Sequence, residues 1–357
     1  MGHRKVGILT VTGDNNYGNK LQNYALQSTL RDMGTAVETV RIESIHYFSR
    51  VIKAYIQFPF RAFMSPKAAK RIKRRVLFYQ FNRHIRWAKR RIDPQEKEES
   101  IKKKLASYDY LFYGSDQIWN PELPQYSDVF LGKFAPREKN IAISASMGIA
   151  TISQEFREEF NNGMKNFCAI SVREESAKAT LQDLDKGLNP AVLLDPTMMI
   201  GVEQWKKIEK PVQTTKPYIL TYFLGEEDAG TVNEIVHDTC ESRIDAGSSQ
   251  PYGPGEFIYL IRNADAVATD SFHATVFSIL FGVRVFVFQR TDKYSSMNSR
   301  FSSLLNKTGI SYQQCEKYLL IEKDAIKDEK VKNSILQEQE KFRNFIAQSM
   351  SKNGYKD

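Results

Sequence analysis

Short apolar runs that alternate with helical patterns constrain the fold of this chain more than any other sequence feature. Six such runs occur before residue 205, and each is ended by polar or turn residues. Strands that alternate with helices indicate a parallel sheet covered by helices. The sequence therefore predicts an α/β fold. The expected strands are residues 5–11, 37–42, 110–113, 140–144, 168–172 and 191–194.

The same pattern restarts after a polar stretch at residues 202–215. Because about 100–200 residues form one domain, a chain of 357 residues fits two such units. We predict two Rossmann-like domains, residues 1–205 and 206–322, with a cleft between them. Residues 323–357 have the pattern of a long polar helix that either packs back on the first domain or caps the second. The strands expected in the second domain are residues 217–224, 266–269 and 285–288.

The formal net charge of +9 is concentrated in one segment. Residues 50–104 contain 18 Lys and Arg against 4 Asp and Glu, so the rest of the chain is acidic overall. Apolar residues recur in this segment at helical spacing, which predicts a basic helical insertion in the first domain. Three interpretations stay open: a solvated helix face packed on its own domain, a surface for anionic lipid headgroups, or nucleic-acid binding. No nucleic-acid-reading motif accompanies the segment, so we expect no nucleic-acid partner.

Composition and motif content exclude several other classes of protein. The three cysteines, Cys168, Cys240 and Cys315, are too scattered for a disulfide framework and favour a reducing, cytoplasmic compartment. The longest apolar stretch, residues 275–288, contains a glycine and an arginine and is too short to span a bilayer. Metal-ligand spacing, a G-x-G-x-x-G motif and a P-loop are all missing from the sequence, so we expect neither a metal nor a cofactor.

Polar residues follow most of the predicted strands, and open α/β sheets bind ligands outside the carboxyl ends of their strands. The loop after the first strand also leads into a helix N-terminus, which favours anions. Asp195 follows the sixth strand, and we assign it no role. The candidate site residues are Asn16, Gly18, Asn19, Gln22, Ser115, Asp116, Arg173, Ser271, Phe272, His273, Arg290, Lys293 and Arg300.

Each of the main candidates has a structural alternative. Gly18 could only supply turn geometry, and Asp116 could cap a turn instead of facing the cleft. Arg173 could pair with a neighbouring acid or present its guanidinium to a ligand carboxylate or phosphate. A histidine at a helix start is often structural, but an ordinary pKa near 6.5 makes His273 the natural proton donor or acceptor. Ser271 could cap the helix that His273 begins.

Several ordered motifs make the sequence resemble the polysaccharide pyruvyl transferase family. They are KVGILTVTGDNNYGNKLQNYALQ, FYGSDQIWNP, ISVREES, LLDPT and DAVATDSFHATVFSILFG. The resemblance implies two domains in a GT-B-like arrangement. It also implies transfer of the enolpyruvyl unit of phosphoenolpyruvate to a sugar of a cell-surface polysaccharide, or of its lipid-linked precursor, to form a pyruvate ketal.

The resemblance also implies roles and partners. His273 would act as general acid or base, Arg173 would contact the anionic groups of phosphoenolpyruvate, and Asp116 is our candidate for the acceptor hydroxyl. Phosphoenolpyruvate would be a donor substrate with no cofactor beside it. A lipid-linked glycan acceptor would suit residues 50–104 as a contact to an anionic membrane, and would place the protein in the cytoplasm at the inner face of the cell membrane.

One departure from the family pattern bears on the donor. Better-characterised members carry an arginine close before the histidine, where this chain has Ser271 and Phe272. The main alternative function is a GT-B-like glycosyltransferase that uses a nucleotide sugar, with Glu256 at the ribose and Ser271 near the diphosphate. A scaffold that binds an anionic glycan or lipid is a third possibility. The residues that could replace the missing charge are Arg290, Lys293 and Arg300.

Overall fold

Two six-stranded sheets, each covered by helices, form the protein in the computed structural model. The structure describes residues 4–13, 16–43, 65–149, 151–240, 242–290 and 298–351. One apolar core cluster runs from the first sheet, with Ile8 and Phe112, into the second domain, with Val267 and Phe277. The predicted two-domain α/β architecture is confirmed. Burial of this shared apolar surface stabilises the contact between the domains.

The first sheet contains six parallel strands, and all six were predicted from the sequence. The strands are β1 Lys5–Leu9, β2 Ala36–Val40, β3 Tyr110–Tyr113, β4 Asn140–Ala145, β5 Ala169–Val172 and β6 Ala191–Val192. Their order is β2-β1-β3-β4-β5-β6, and Ile8 of β1 lies opposite Thr39 and Phe112 of the two neighbouring strands. Helices cover both faces of the sheet, so β1, β3 and β4 are buried almost completely.

The helices of the first domain include one that begins at the cleft. The Asn16 side chain accepts a hydrogen bond from the N–H of Gly18 at 2.8 Å. This N-cap makes the first helix begin at Tyr17, earlier than the predicted start near Lys20. The described helices of this part of the chain are α1 Tyr17–Asp32, α2 Pro66–Phe81, α3 Glu98–Leu105, α4 Gln154–Met164, α5 Glu175–Leu184 and α6 Val202–Lys206.

The described part of the basic insertion packs closely on the rest of the protein. Residues 50–64 of the predicted insertion lie outside the described residues. Helix α2 buries Arg74, Phe78 and Phe81, and the Arg74 guanidinium donates to the Tyr252 carbonyl of the second domain at 3.1 Å. The chain then runs beside β2, with a bridge between Thr39 and Trp87. The predicted helix is therefore present, and its inner face is buried.

The second sheet combines four parallel strands with two antiparallel strands at one edge. The strands are β7 Ile219–Tyr222, β8 Arg243–Asp245, β9 Ala266–Thr269, β10 Arg284–Phe288, β11 Gln313–Gln314 and β12 Tyr318–Ile321. Their order is β11-β12-β10-β9-β7-β8, and β12 pairs antiparallel with β10 and with β11. We predicted β7, β9 and β10 and missed β8, β11 and β12. Strands β8 and β11 have only three and two residues and little apolar pattern.

The last helix ends against the first domain. Its Met350 carbonyl accepts hydrogen bonds from the Arg4 guanidinium at 3.3 Å and from the Tyr110 hydroxyl. Within the described part of the chain, no helix combines the length and the hydropathy needed to cross a bilayer. The remaining helices are α7 Ala229–Thr239, α8 Pro254–Asn263, α9 Phe272–Phe281, α10 Ser299–Thr308, α11 Lys323–Lys327 and α12 Glu329–Ser351.

Candidate active site

A cavity of about 260 Å³ lies between the two domains at the carboxyl ends of their strands. The first domain contributes the start of α1 and the loop after β3, and the second contributes the start of α9 and the segment after β10. Ligands of open α/β sheets bind in this position. The lining residues are Val11, Asn16, Asn19, Asp116, Gln117, Leu123, Gln125, Leu224, Ser271, Phe272, His273, Arg290 and Arg300.

His273 lies in the first turn of α9 and reaches across to the first domain. The Ser271 side chain accepts from the N–H of Ala274 at 3.4 Å and caps the helix, which confirms the predicted cap. The imidazole rests against the first turn of α1. A Cβ atom built on Gly18 would lie 2.2 Å from Nδ1 of His273, so no larger residue fits at position 18 without a shift. Gly18 therefore provides close approach between the two domains, not a turn.

Behind His273 lies a buried cluster of charged groups. Asp195, only 1% exposed, follows β6. Its Oδ2 lies 2.6 Å from Nη1 of Arg173, 3.3 Å from Oγ of Ser115 and 3.6 Å from Nε2 of His273. The last distance is too long for a hydrogen bond, and Nε2 has no hydrogen-bond partner among the described residues. The imidazole nitrogen and the carboxylate thus face each other without a bond between them.

Arg173 is held by three acids. Besides Asp195, its guanidinium lies 3.6 Å from Oε2 of Glu174 and 3.7 Å from Oδ1 of Asp116. Burial lowers the pKa of Arg173, but the charges of Asp195, Glu174 and Asp116 outweigh it and raise the pKa overall. Of the two alternatives for this residue, the described structure has the ion pair with neighbouring acids. Arg173 does not line the cavity.

Burial and neighbouring charges also shift the pKa of Asp195 in opposite directions. Burial raises the pKa of its carboxyl, but the neighbouring His273 and Arg173, together with the N–H of Thr197, lower it more. The pKa of Asp195 therefore lies well below its usual range, and the group is a carboxylate at neutral pH. From the sequence alone we assign Asp195 no role. Its position after a strand and its place in the LLDPT motif were the signals available in the sequence.

Two other arginines line the cavity itself. Arg290 Nε lies 3.9 Å from Oδ2 of Asp270, and Arg300 Cζ lies 5.5 Å from the ring centroid of Phe272. Burial and the nearby charge of Arg173 lower the pKa of Arg300 to about 10. Arg300 is therefore still a cation at neutral pH. Lys293, the third predicted cation, lies outside the described residues.

The remaining predicted residues divide into those on the cavity wall and those behind it. Asn16, Asn19 and Asp116 are on the wall. Gln22 and Ser115 are completely buried, and Oε1 of Gln22 accepts from the N–H of Ser115 at 3.2 Å. These two side chains therefore connect α1 to the loop after β3 and are not exposed to a ligand in this structure.

Two further groups bear on the alternatives. The Glu256 carboxylate accepts from the N–H of Gly253 at 3.1 Å in the capping box of α8, and it does not line the cavity. A nucleotide ribose contact at Glu256 therefore has no support from its position. Among the described residues, no group of three His, Cys, Asp or Glu side chains is arranged to hold a metal ion.

The sequence matches the model of a known protein family. A model described as polysaccharide pyruvyl transferase matches residues 16–292, more than half of the chain. This confirms the resemblance seen in the sequence motifs. The matched region includes most of the residues that line the cavity, from Asn16 to Arg290. No curated protein sequence matches the chain.

The fold is similar to that of sugar-nucleotide epimerases. A protein assigned as a UDP-N-acetylglucosamine 2-epimerase from Listeria monocytogenes matches with 13% identity and a TM-score of 0.50, over 98% of this chain and 91% of its own. Epimerases from Neisseria meningitidis and Rickettsia bellii match with 10% and 12% identity and TM-scores of 0.46, over 97% of this chain and 100% and 98% of theirs. The first likeness confirms the GT-B-like arrangement and, at this identity, concerns the fold alone.

Proposed function

The chain belongs to the polysaccharide pyruvyl transferase family and is a transferase, and we propose that it moves the enolpyruvyl unit of phosphoenolpyruvate onto a sugar. The acceptor is a cell-surface polysaccharide or its lipid-linked precursor, and the product is a pyruvate ketal. The observation that carries the proposal is the single cavity that combines His273 and two arginines of one domain with Asp116 of the other.

In net terms the reaction transfers two protons, which come from two sugar hydroxyls, and it involves no change of oxidation state. The methylene carbon of the donor gains a proton and becomes a methyl group, while the adjacent carbon becomes oxocarbenium-like. One sugar hydroxyl attacks that carbon, the bond to the phosphate oxygen breaks, and a second hydroxyl of the same sugar closes the ketal. Of the two hydroxyl protons, one replaces the proton given to carbon and the other leaves with phosphate.

The residues on the cavity wall supply groups of these kinds. His273 provides the proton for the donor carbon or the leaving phosphate, as a side chain whose ordinary pKa lies near neutrality can. Asp116 accepts the proton of the attacking hydroxyl. Arg290 and Arg300 hold the carboxylate and phosphate of the donor, and they balance the charge that develops on the phosphate as it leaves. Behind the wall, the Arg173 guanidinium lies 3.7 Å from Oδ1 of Asp116 and helps to keep the pKa of Asp195 low.

Donor choice distinguishes this function from the glycosyltransferase alternative. The protein is incubated with a panel of p-nitrophenyl glycosides and either phosphoenolpyruvate or a set of nucleotide sugars. We expect inorganic phosphate, and a ketal on the glycoside, only with phosphoenolpyruvate. Release of nucleotide from a nucleotide sugar, with no phosphate from phosphoenolpyruvate, would assign the chain to the glycosyltransferases instead. Release of neither would leave the scaffold function.

The two arginines on the wall carry the first prediction. R290A and R300Q should each raise the KM for phosphoenolpyruvate about 10–100-fold, the cost of losing one charge-assisted hydrogen bond, with a smaller change for R300K. Steady-state phosphate release measures this. The control is R157A, because Arg157 pairs with Asp183 on the surface of the first domain. Unchanged donor KM in both R290A and R300Q would remove these residues from the donor site.

The outer surface of the insertion supports a membrane contact. Between residues 65 and 92 there is no Asp or Glu. Tyr79 on α2 is 64% exposed and lies in the same basic stretch. We propose that this surface binds anionic lipid headgroups, which would bring the cleft to a lipid-linked acceptor. Nine cations of this stretch are exposed, namely Lys67, Lys70, Arg71, Lys73, Arg75, Arg83, Arg86, Lys89 and Arg90.

Vesicle binding is the second prediction. The protein should co-sediment with vesicles that contain phosphatidylglycerol, not with pure phosphatidylcholine, and binding should weaken as salt is added. Replacing Lys73, Arg75 and Arg86 by glutamine should reduce binding about 100-fold, at about 1 kcal/mol per cation near the surface. The same change at three exposed lysines outside the insertion, Lys323, Lys330 and Lys332, should have little effect. Equal binding to both kinds of vesicle would contradict the proposal.

A further inference from the structure

The carboxylate of Asp195 is fixed on the first domain by donors to both of its oxygens. Oδ1 accepts from the N–H of Thr197 at 2.9 Å and from the Thr197 hydroxyl at 2.7 Å. Oδ2 accepts from Arg173 at 2.6 Å and from the Ser115 hydroxyl at 3.3 Å. With contacts on both oxygens the group cannot rotate freely. The position of Oδ2 is therefore set by the first domain alone.

His273 belongs to the second domain, and its imidazole is confined from two sides. The ring packs on Gly18, where even one added carbon would collide with Nδ1. Its Nε2 is buried, has no hydrogen-bond partner among the described residues and lies 3.6 Å from Oδ2 of Asp195. Approach of the two atoms by about 0.6 Å would bring them within hydrogen-bond distance. A buried polar nitrogen without a partner is costly, so this approach is favourable.

We propose that Asp195 is a positioning residue for His273, the carboxylate to which Nε2–H of the imidazole donates across the domain boundary. Nδ1 is then the nitrogen left to exchange a proton with a ligand in the cavity. The carboxylate also stabilises the imidazolium form of His273, which is the form that gives a proton to the donor. This last statement rests on the proposed function, whereas the pairing itself does not.

The other charges around His273 determine whether removal of the Asp195 charge favours or disfavours protonation of the imidazole. Arg173 lies behind Asp195 and shares its Oδ2, while Arg290, Arg300 and Asp116 line the same cavity. The α1 N-terminus, whose first turn contains no acidic residue, adds a positive dipole end. If the Asp195 charge is removed, cations and a positive helix end predominate near the ring. The imidazolium is then disfavoured, and the pKa of His273 falls.

An NMR titration of the ¹⁵N-histidine-labelled protein tests the pairing without any substrate. The His273 signals are assigned by their absence in H273Q. In the unmutated protein, neutral His273 should be the Nε2–H tautomer, and D195N should lower the His273 pKa by about one unit or more, a tenfold change in the proton-binding constant. D185N is the matched control, since Asp185 makes the same side-chain contact to the N–H two residues on, at 2.8 Å, outside the cavity lining.

The outcomes of this experiment separate the pairing from the proposed reaction. An Nδ1–H tautomer in the unmutated protein would overturn the pairing, and this result does not depend on whether D195N folds. A folded D195N protein whose His273 titrates as before would overturn it as well. If the reaction is as proposed, D195N should lower kcat about tenfold or more and shift the limb of the pH profile that requires protonated His273 to lower pH. The donor KM should change little. A shifted titration without any activity on phosphoenolpyruvate would uphold the pairing and reject the reaction.

Discussion

Replacement of His273 by glutamine lowers kcat about 10²–10⁴-fold, the usual contribution of a general acid or base. The physical reason is its place in the cleft. It is the histidine on the cavity wall, it is 7% exposed, and it lies between Gly18 and Asp195 of the opposite domain. Glutamine fills a similar volume and keeps a polar end but cannot carry a proton at neutral pH. Phosphate release from phosphoenolpyruvate, measured with a p-nitrophenyl glycoside acceptor, reports the loss.

A control separates chemistry from folding for this substitution. His237 lies on α7 with a largely exposed side chain, so H237Q should keep full activity. Thermal melting of H273Q should stay close to that of the unmutated protein because only one buried side chain of similar size changes. Added imidazole should restore part of the activity of H273A, as it occupies the vacated space. A folded H273Q protein with unchanged kcat would show that His273 only supports the structure.

Most of the fold could be predicted from local sequence pattern, and the missed elements have a common cause. Parallel strands buried on both faces are continuous apolar runs, as in residues 110–113, and their sequence alone identifies them. The edge strands of the second sheet lack that signal, since Gln313–Gln314 has no apolar residue at all. Tyr318–Ile321 is apolar, but its antiparallel pairing with β10 depends on tertiary contacts.

The sequence could predict which residues lie at the site but not the direction in which each side chain points. The pattern placed Asp116 and Arg173 after strands of the first domain and His273 after a strand of the second. The structure brings all three together at the cleft, around Asp195. The sequence could not indicate that Arg173 turns inward to three acids, because side-chain direction depends on neighbours far along the chain. For the same reason Asp195, 78 residues before His273, gave no signal of its contact with that histidine.

Substitution of Gly18 by alanine should reduce kcat about 100-fold while leaving the protein folded. The new Cβ would lie 2.2 Å from Nδ1 and 2.4 Å from Cε1 of His273, closer than any ordinary non-bonded contact of a Cβ atom. Helix α1 cannot easily retreat, because the Tyr17 ring stacks on Phe257 at 4.0 Å and the Tyr17 hydroxyl donates to the Ala246 carbonyl at 3.2 Å. The imidazole therefore moves. A displacement of about 1 Å at a reacting group can cost about 10² in rate.

A second helical glycine provides the matched comparison for this prediction. Gly230 is the second residue of α7, as Gly18 is of α1, and its Cβ would meet only the Asp228 carboxylate at 3.6 Å. By helix propensity alone each alanine would stabilise its helix by about 0.5–1 kcal/mol. G230A should follow that rule and keep full activity. G18A should gain no stability and should move the His273 resonances in the NMR spectrum. If G18A keeps the kcat and the His273 shifts of the unmutated protein, then the two domains do not hold the imidazole in the way that the contact with Gly18 implies.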